Sequence, residues 1–358
     1  MSWICTWTLR IDVDEHLLQG YFPPPPPANA RGFWRTIGSV VRKVSWFMLY
    51  CIAAVLLFGT ISGWMADQFW ICEIACHFQV QYIVGLASVA VVFAIGRRWR
   101  VAGIVIGAAL LAFVVHWLPF YWSDAPVPIG KRSLRLLSGN VRFDNRSRAS
   151  FFELIASEKP DIILLFEVSP IWVADLQSLA SEFPHMRIAP NGGHWGCAIL
   201  SRLPIDSVTV EPLGPSTNLI LQANVSVGPN SVRLVGIHPR APYTPPELAL
   251  RNEQLTKIAG YLGPNTKRTI IAGDFNTSSW SSCFDRFAAA TGTRDTRRGF
   301  GVCATFPAGY WPLITTIDHC LVSPDIGVLD RRVGTDFGSD HLPIVVDLAI
   351  EDVDESRD

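Results

Sequence analysis

The sequence predicts an α/β domain built on two packed sheets and preceded by three membrane-spanning helices. Three observations lead there. The chain has 358 residues, 49% of them hydrophobic, which suits a large domain plus something apolar. The apolar excess is concentrated between residues 44 and 122, the mark of a membrane segment. After residue 132, strand and helix patterns alternate over a length that supports two sheets around one core. The formal net charge of -1 excludes whole-chain electrostatic attraction to nucleic acid, though not a local basic groove.

Residues 1–43 form an N-terminal arm, in which "FPPPPPANA" at 22–30 reads as an extended polyproline II spacer. Three candidate spans follow within 44–122: Val44–Trp64, Val80–Gly96 and Val101–Trp122. Each approaches the ~20 residues that cross a ~30 Å hydrocarbon core, the second being the shortest. Trp46, Trp64, Trp99, Trp117, Tyr121 and Trp122 sit near the ends, where amphipathic rings prefer the interface. Arg31, Arg35, Arg42 and Lys43 precede the first span, and Arg97, Arg98 and Arg100 separate the second from the third. The loop between the first two has Asp67 and Glu73 and no Lys or Arg. The positive-inside rule then makes the N-terminus cytoplasmic and everything after Trp122 extracytoplasmic, in a multi-pass protein of the cytoplasmic membrane. The first apolar segment starts too late and is too long for a cleavable signal peptide. The chain has no internal repeat.

Eight cysteines are present. An oxidising exterior permits disulfides among those outside, but their pairing is not legible from sequence. Cys72, Cys76 and His77 cluster locally. Without a visible fourth ligand they read as a disulfide or inert thiols rather than a metal site.

Residues 123–132 are a Pro- and Gly-containing tether, 133–350 the outer domain, and 351–358 an acidic tail. In the domain, "SLRLLSGNV" reads as a strand and "SRASFFELIASEK" as an amphipathic helix. "DIILLFEV" is a continuous apolar strand of the fully buried kind. A helix near 171–182 and the strands "HMRIAP", "CAILSR", "SVTVEPL", "LILQANVSV" and "SVRLVGIH" come next. A helix from Pro246 to about Leu262, the strand "RTIIAGDF", a short helix near 281–289 and the strands "IDHCLVS" and "HLPIVVDLAI" complete the set.

Several strands end on polar residues: Asn140, Glu167, His238, and Asp274 with Asn276. Asp318 with His319, and Asp340 with His341, stand at or before the starts of two others. If these ends converge, they form a pocket of carboxylates, amides and imidazoles. Oxygen donors of this kind suit Mg²⁺ or Mn²⁺, and such a cation stabilises the charge of phosphate transfer. An Asp with an Asn two residues on can orient an attacking water. A His held by another Asp can bind phosphate or protonate a leaving oxygen.

The order Asn140, Glu167, His238 in "GIHPRAP", "GDFN", "IDH", "SDHLP" resembles the endonuclease/exonuclease/phosphatase superfamily. That superfamily includes DNase I-like nucleases, abasic-site endonucleases, neutral sphingomyelinases and inositol polyphosphate 5-phosphatases. The resemblance covers Ser133 to Ile350 and is nearest to membrane-anchored bacterial members, whose "AILSR" and "ATFP" type segments occur at 198–202 and 304–307. It implies a four-layer, two-sheet DNase I-like sandwich and a metal-dependent hydrolase of phosphate esters. It implies a metal site at Glu167, the principal ligand, with Asn140 and Asp340. Asp274 would activate or orient the attacking water and Asn276 support the water or the phosphate. His341 would be the catalytic imidazole, Asp318 its orienting carboxylate, and His238 a phosphate contact. The sequence leaves open whether Asp274 or His341 is the base. Arg142 stands where some nuclease members carry an acid that assists the metal; it is either a contact to substrate phosphate or a surface residue.

Other polar residues read as ordinary structure: His319 packing beside its strand, His185 structural, Asp336 on the surface, Asn252 and Glu253 solvated. His194 and Trp195 either line the cleft or are plain loop residues. The tether reaches about 35 Å at most, which keeps the domain near the bilayer. "TRDTRR" at 293–298 and Arg240 give some positive charge, but no long basic stripe with interleaved aromatics is present. A lipid headgroup is therefore favoured over nucleic acid as the phosphate ester, and no protein partner is evident. The alternatives are an extracytoplasmic nuclease and a non-catalytic membrane scaffold.

Overall fold

The computed structural model describes residues 28–122, 131–212 and 218–351. The polyproline spacer up to residue 27, most of the tether and the tail beyond Glu351 lie outside them.

Helix α1 runs from Ala28 to Ile61, so it begins well before the apolar run. A short helix α2 (Trp70–Cys76) is followed by α3 (Gln79–Ile95) and α4 (Trp99–Ala112). Two stretches, Gly32–Met65 and Trp99–Phe120, are long and apolar enough to cross a membrane. The middle candidate qualifies only as a pair, α2 with α3, bent by 73°. The break falls at His77 and Phe78, just before the predicted second span. Close packing fixes this part: the ring of Tyr82 lies where a Cβ on Gly59 would stand, and Gln79 Nε2 donates to Gly59 O at 3.0 Å.

The domain after the tether contains twelve strands among the described residues. In chain order these are β1 (Lys131–Asn140), β2 (Ile162–Phe166), β3 (His185–Ala189), β4 (Cys197–Ser201), β5 (Ile205–Pro212) and β6 (Leu219–Val227). Then follow β7 (Asn230–Ile237), β8 (Thr269–Asp274), β9 (Arg294–Asp295), β10 (Asp318–Val322), β11 (Ile326–Val333) and β12 (Ile344–Glu351). They form two six-stranded sheets, ordered β11-β12-β1-β2-β4-β3 and β5-β6-β7-β8-β10-β9. The alternating inward faces of both sheets, Leu134, Leu136, Leu164 and Ile199 from one and Leu221, Leu234, Ile270 and Ala272 from the other, make one buried core. Helices cover the outer faces. On the first sheet α5 (Arg148–Glu158) buries Phe151, Leu154 and Ile155, and α6 (Val173–Gln177) buries Leu176. On the second, α7 (Pro245–Leu262) buries Leu255 and Ile258, and α8 (Ser282–Thr291) buries Phe284 and Phe287. The result is the four-layer sandwich expected from the sequence. Each such large side chain contributes about 1.5–3 kcal/mol by leaving water.

β9 and β11 were not expected. In β11 the alternation breaks at a bulge between Val328 and Asp330, and the strand continues through Asp330, Arg331 and Arg332. Three charged residues and a register shift hide a strand from a period-2 reading. The helix expected near 171–182 is shorter, a 3-10 turn at Pro170–Trp172 followed by α6.

Topology places the polar strand ends together. β1 and β2 run parallel, with Asn140 opposite Phe166. β7 and β8 run parallel, with Ile237 opposite Gly273. β10 is antiparallel to β8, so Asp318 at its start faces Asp274 at the other's end. β12 is antiparallel to β1, which brings its leading residues to the same edge. The glycine of "GDFN" is required there: Gly273 has φ +150°, and a Cβ on it would stand 2.0 Å from Ile237 O.

Candidate active site

The strand ends line a cleft of about 810 Å³. Asn140, buried, donates through Nδ2 to Glu167 Oε1 at 3.0 Å and to Asp274 Oδ2 at 3.2 Å. It thus ties one sheet to the other. Glu167 Oε2 accepts from Phe143 N at 3.3 Å and lies 3.1 Å from His194 Nδ1. Asp274 Oδ1 accepts from Asn276 N at 2.9 Å, and Asn276 Nδ2 donates to Pro239 O at 3.0 Å. His238 Nε2 is 3.4 Å from Asp274 Oδ2 and 4.0 Å from Glu167 Oε1. His341 Nδ1 is 2.9 Å from Asp318 Oδ2, and its Nε2 is 3.6 Å from Asp274 Oδ2. Asp318 also accepts from Thr305 Oγ1 at 2.7 Å.

Glu167 and Asn276 hold left-handed backbone, with φ of 58° and 50°. Residues other than glycine adopt this only where surrounding contacts over-determine it, at a cost on the order of 1–3 kcal/mol. Here the strain sits on two residues that the sequence already marks for chemistry.

Electrostatics make one charged unit of the cluster. Burial pushes the His341 imidazole down, but the charges of Asp318 and Asp274 outweigh burial and raise it well above its ordinary value. His238 moves up for the same reason, with Asp274 its main partner. Burial raises Asp274, and the charges of His341 and His238 bring it below the usual carboxylate range. Asp274 is thus held ionised between two imidazoles whose protonated forms its charge favours.

Asp340 lines the cleft, half-buried. Arg142 also lines it, but its Nε is 2.6 Å from Asp144 Oδ1. His194 and Trp195 are cleft residues; the Trp195 ring stands 5.6 Å from that of His238. His319 packs behind the site, its Nε2 2.7 Å from Thr277 O, pushed down to about 3 by burial and the charge of Arg297. Asp336 is exposed, and Glu253 pairs on the surface with Lys257. Asn252 is not solvated: it accepts from Arg251 Nε at 2.9 Å and donates to Asp67 O at 3.2 Å. In "TRDTRR", Arg297 is fully buried and pairs with Asp295, so it offers a groove no charge. The seven cysteines among the described residues are free thiols, Cys72 and Cys76 included.

Sequence reasoning missed the far wall of the cleft. Ile74, His77 and Phe78, from the segment between the first two apolar helices, line it with Phe306, Pro307 and Leu313. The only signal was that this segment carries polar residues inside an apolar stretch.

Two places suit a cation. The donor atoms of Asp274, Asp318 and His341 lie within 4.8 Å of one another. Asp318 and His341 already satisfy each other, however, and Asp274 Oδ2 has His238 Nε2 3.4 Å away. Glu167, Asp274 and Asp340 offer oxygen alone, the donor type of Mg²⁺ and Mn²⁺. Buried Glu167 and Asp274 with half-buried Asp340, all on one cleft, fit a site completed by a divalent cation.

Two mixed sheets with acids and imidazoles gathered at one edge define a DNase I-like α/β sandwich with a phosphate-ester type of centre. The model of the Endonuclease/Exonuclease/phosphatase family matches residues 137–341, and the chain belongs to that family. Solved structures share the fold at low identity. An endonuclease/exonuclease/phosphatase from Beutenbergia cavernae is 19% identical with TM-score 0.51, over 62% of this chain and 72% of that one. A functionally unknown conserved protein from Enterococcus faecalis is 19% identical with TM-score 0.51, over 61% and 100%. D. rerio TDP2, complexed with a single strand DNA product, is 18% identical with TM-score 0.51, over 60% and 98%. No curated protein matches the chain.

Proposed function

We propose that the chain is a metal-dependent phosphoesterase, anchored in the cytoplasmic membrane by its apolar helices with the catalytic domain outside, and that a phosphorylated lipid or its headgroup is its preferred substrate. The observation that carries the hydrolytic reading is the buried cluster of Asn140, Glu167, His238, Asp274, Asp318 and His341 at one edge of both sheets. Glu167 is the principal metal ligand, with Asn140 and Asp340 beside it. A bound Mg²⁺ or Mn²⁺ would offset the phosphate charge. Asp274, held ionised, orients the attacking water with Asn276. His341, held protonated by Asp318, donates to a phosphoryl or leaving oxygen. His238, and Arg142 if it leaves Asp144, contact phosphate.

The lipid preference rests on the cleft wall and rim. The wall carries Ile74 and Phe78 from the inter-helix segment. The rim carries Leu313, and the turn between the cleft residues Pro307 and Leu313 exposes Tyr310 and Trp311 by 68 and 85%. Gln81, in the first turn of α3, donates to Pro312 O at 2.6 Å and holds this rim beside an apolar helix. A soluble substrate gives no reason for such a rim, whereas an interface accepts aromatic side chains readily. The test is kcat/KM of the full chain for phospholipid vesicles, inositol phosphates and DNA at matched metal and salt. Lipid is expected to win. A tenfold preference for DNA, with binding that weakens steeply as salt rises, would make this an anchored nuclease instead.

Orientation has its own check. A reporter fused after Asp358 should be active only in an exported compartment, and one placed in the Arg97–Arg100 loop only in the cytoplasm. The reverse pattern would move the enzyme to the cytoplasmic face.

A further inference from the structure

Glu73 sits in α2, the short helix between the first two apolar helices, and its side chain is fully buried. Its Oε1 accepts from Arg251 Nη1 at 2.8 Å and from Thr277 Oγ1 at 2.5 Å. Its Oε2 accepts from Ser281 Oγ at 2.7 Å. The same Arg251 Nη1 donates to Asn276 O at 3.1 Å. Arg251 is itself fully buried, and its Nη2 has no hydrogen-bond partner among the described residues, so Glu73 is what balances its charge. One carboxylate thus fixes the loop after β8 at three points: Asn276 through Arg251, and Thr277 and Ser281 directly. That loop carries the strained backbone of Asn276.

From this geometry we infer that Glu73 is a positioning residue for the active site, holding the Asp274–Asn276 turn from the membrane-proximal segment. A buried ion pair is seldom more stabilising than well-packed apolar side chains of the same volume. Its presence beneath a catalytic loop points to geometry rather than stability. Other contacts run the same way: Cys76 Sγ is 3.5 Å from Ser278 Oγ, and a Cβ on Gly63 would stand 2.0 Å from Trp280 O. The membrane-proximal segment is therefore part of the active centre, and a domain cut free of it would leave Arg251 charged and unpaired under Asn276.

The test uses the full chain in detergent micelles. The double variant Glu73→Gln/Arg251→Met removes both charges and keeps the volume, so the fold should survive. Two readouts are expected to move. Amide exchange in the peptide covering residues 274–281 should accelerate at least about tenfold while that of β1 stays unchanged, and kcat for bis-nitrophenyl phosphate should fall by about tenfold or more with KM within about twofold, since small misplacements of catalytic groups cost on this order. Thr277→Val keeps the ion pair, removes one hydrogen bond, and should give a smaller change of the same kind; it decides the matter if the double variant does not fold. The kcat expectation rests on the phosphoesterase reading, and the exchange expectation does not. A wild-type chain that turns over no phosphate ester counts against that reading alone, and exchange then decides this inference. Wild-type kcat in a folded, active variant, or wild-type exchange in this loop, would overturn it.

Discussion

Glu167→Gln should lower kcat/KM for phosphate-ester hydrolysis by about 10³-fold or more, with the fold intact. The amide matches the carboxylate in size, and its single oxygen can keep one of the two contacts, that from Asn140 Nδ2 or that from Phe143 N. What disappears is the negative charge at the oxygen-donor end of the cleft, and with it the hold on a divalent cation. His341→Ala should cost a similar factor for a different reason. It removes the imidazole between Asp318 and Asp274 and leaves Asp318 buried with only Thr305 as partner. Its stability should drop as well, and by more than that of Glu167→Gln. The two variants also separate an enzyme from a scaffold that kept the fold. A cellular phenotype indifferent to both would favour the scaffold.

Arg251→Met alone should destabilise the full chain by about 3–5 kcal/mol, the cost of leaving a buried charge without its partner. The pH dependence identifies the partner. In the wild type, burial raises the Glu73 carboxyl, and the charge of Arg251 outweighs it, holding the group well below the usual range. That contribution is present above the unfolded carboxylate value of about 4.3 and is lost as pH falls below it. In Arg251→Met the strongest opposing charge is gone, and burial pushes the carboxyl up against only His77, 3.7 Å away, and the hydroxyls of Thr277 and Ser281. The variant then gains relative stability as pH falls toward carboxyl protonation. The gap between wild type and variant should be widest near neutrality and shrink below about pH 5. A gap that stays constant between pH 4 and 8 would show that Glu73 is not the group involved.

Much of the catalytic domain was legible in the sequence because its signals are local. Buried strands such as Ile162–Phe166 and Thr269–Asp274 are continuous apolar runs, and a carboxylate or amide at the end of such a run stands out. The convergence of Asn140, Glu167, Asp274 and His341 followed from motif order, and parallel β1–β2 and β7–β8 pairing explains it physically. What stayed hidden depends on contacts between distant segments. Glu73 and Arg251 are 178 residues apart, and neither is remarkable in its own window. One trace existed: Arg251 shares a helix face with Leu248, Leu255 and Ile258, where an arginine needs a partner. Asn252 was misread as solvated because nothing local shows that Asp67 and Cys283 reach it. The strand β11 was missed because its bulge and its charges break the alternation.

The most direct test of a metal-dependent phosphoesterase is turnover of bis-nitrophenyl phosphate by the full chain in detergent, first stripped with chelator and then titrated with Mg²⁺ or Mn²⁺. The expected result is hydrolysis that chelation abolishes, that either cation restores with saturation, and that Glu167→Gln lacks at every metal concentration. Turnover that persists at the wild-type rate after chelation would contradict it.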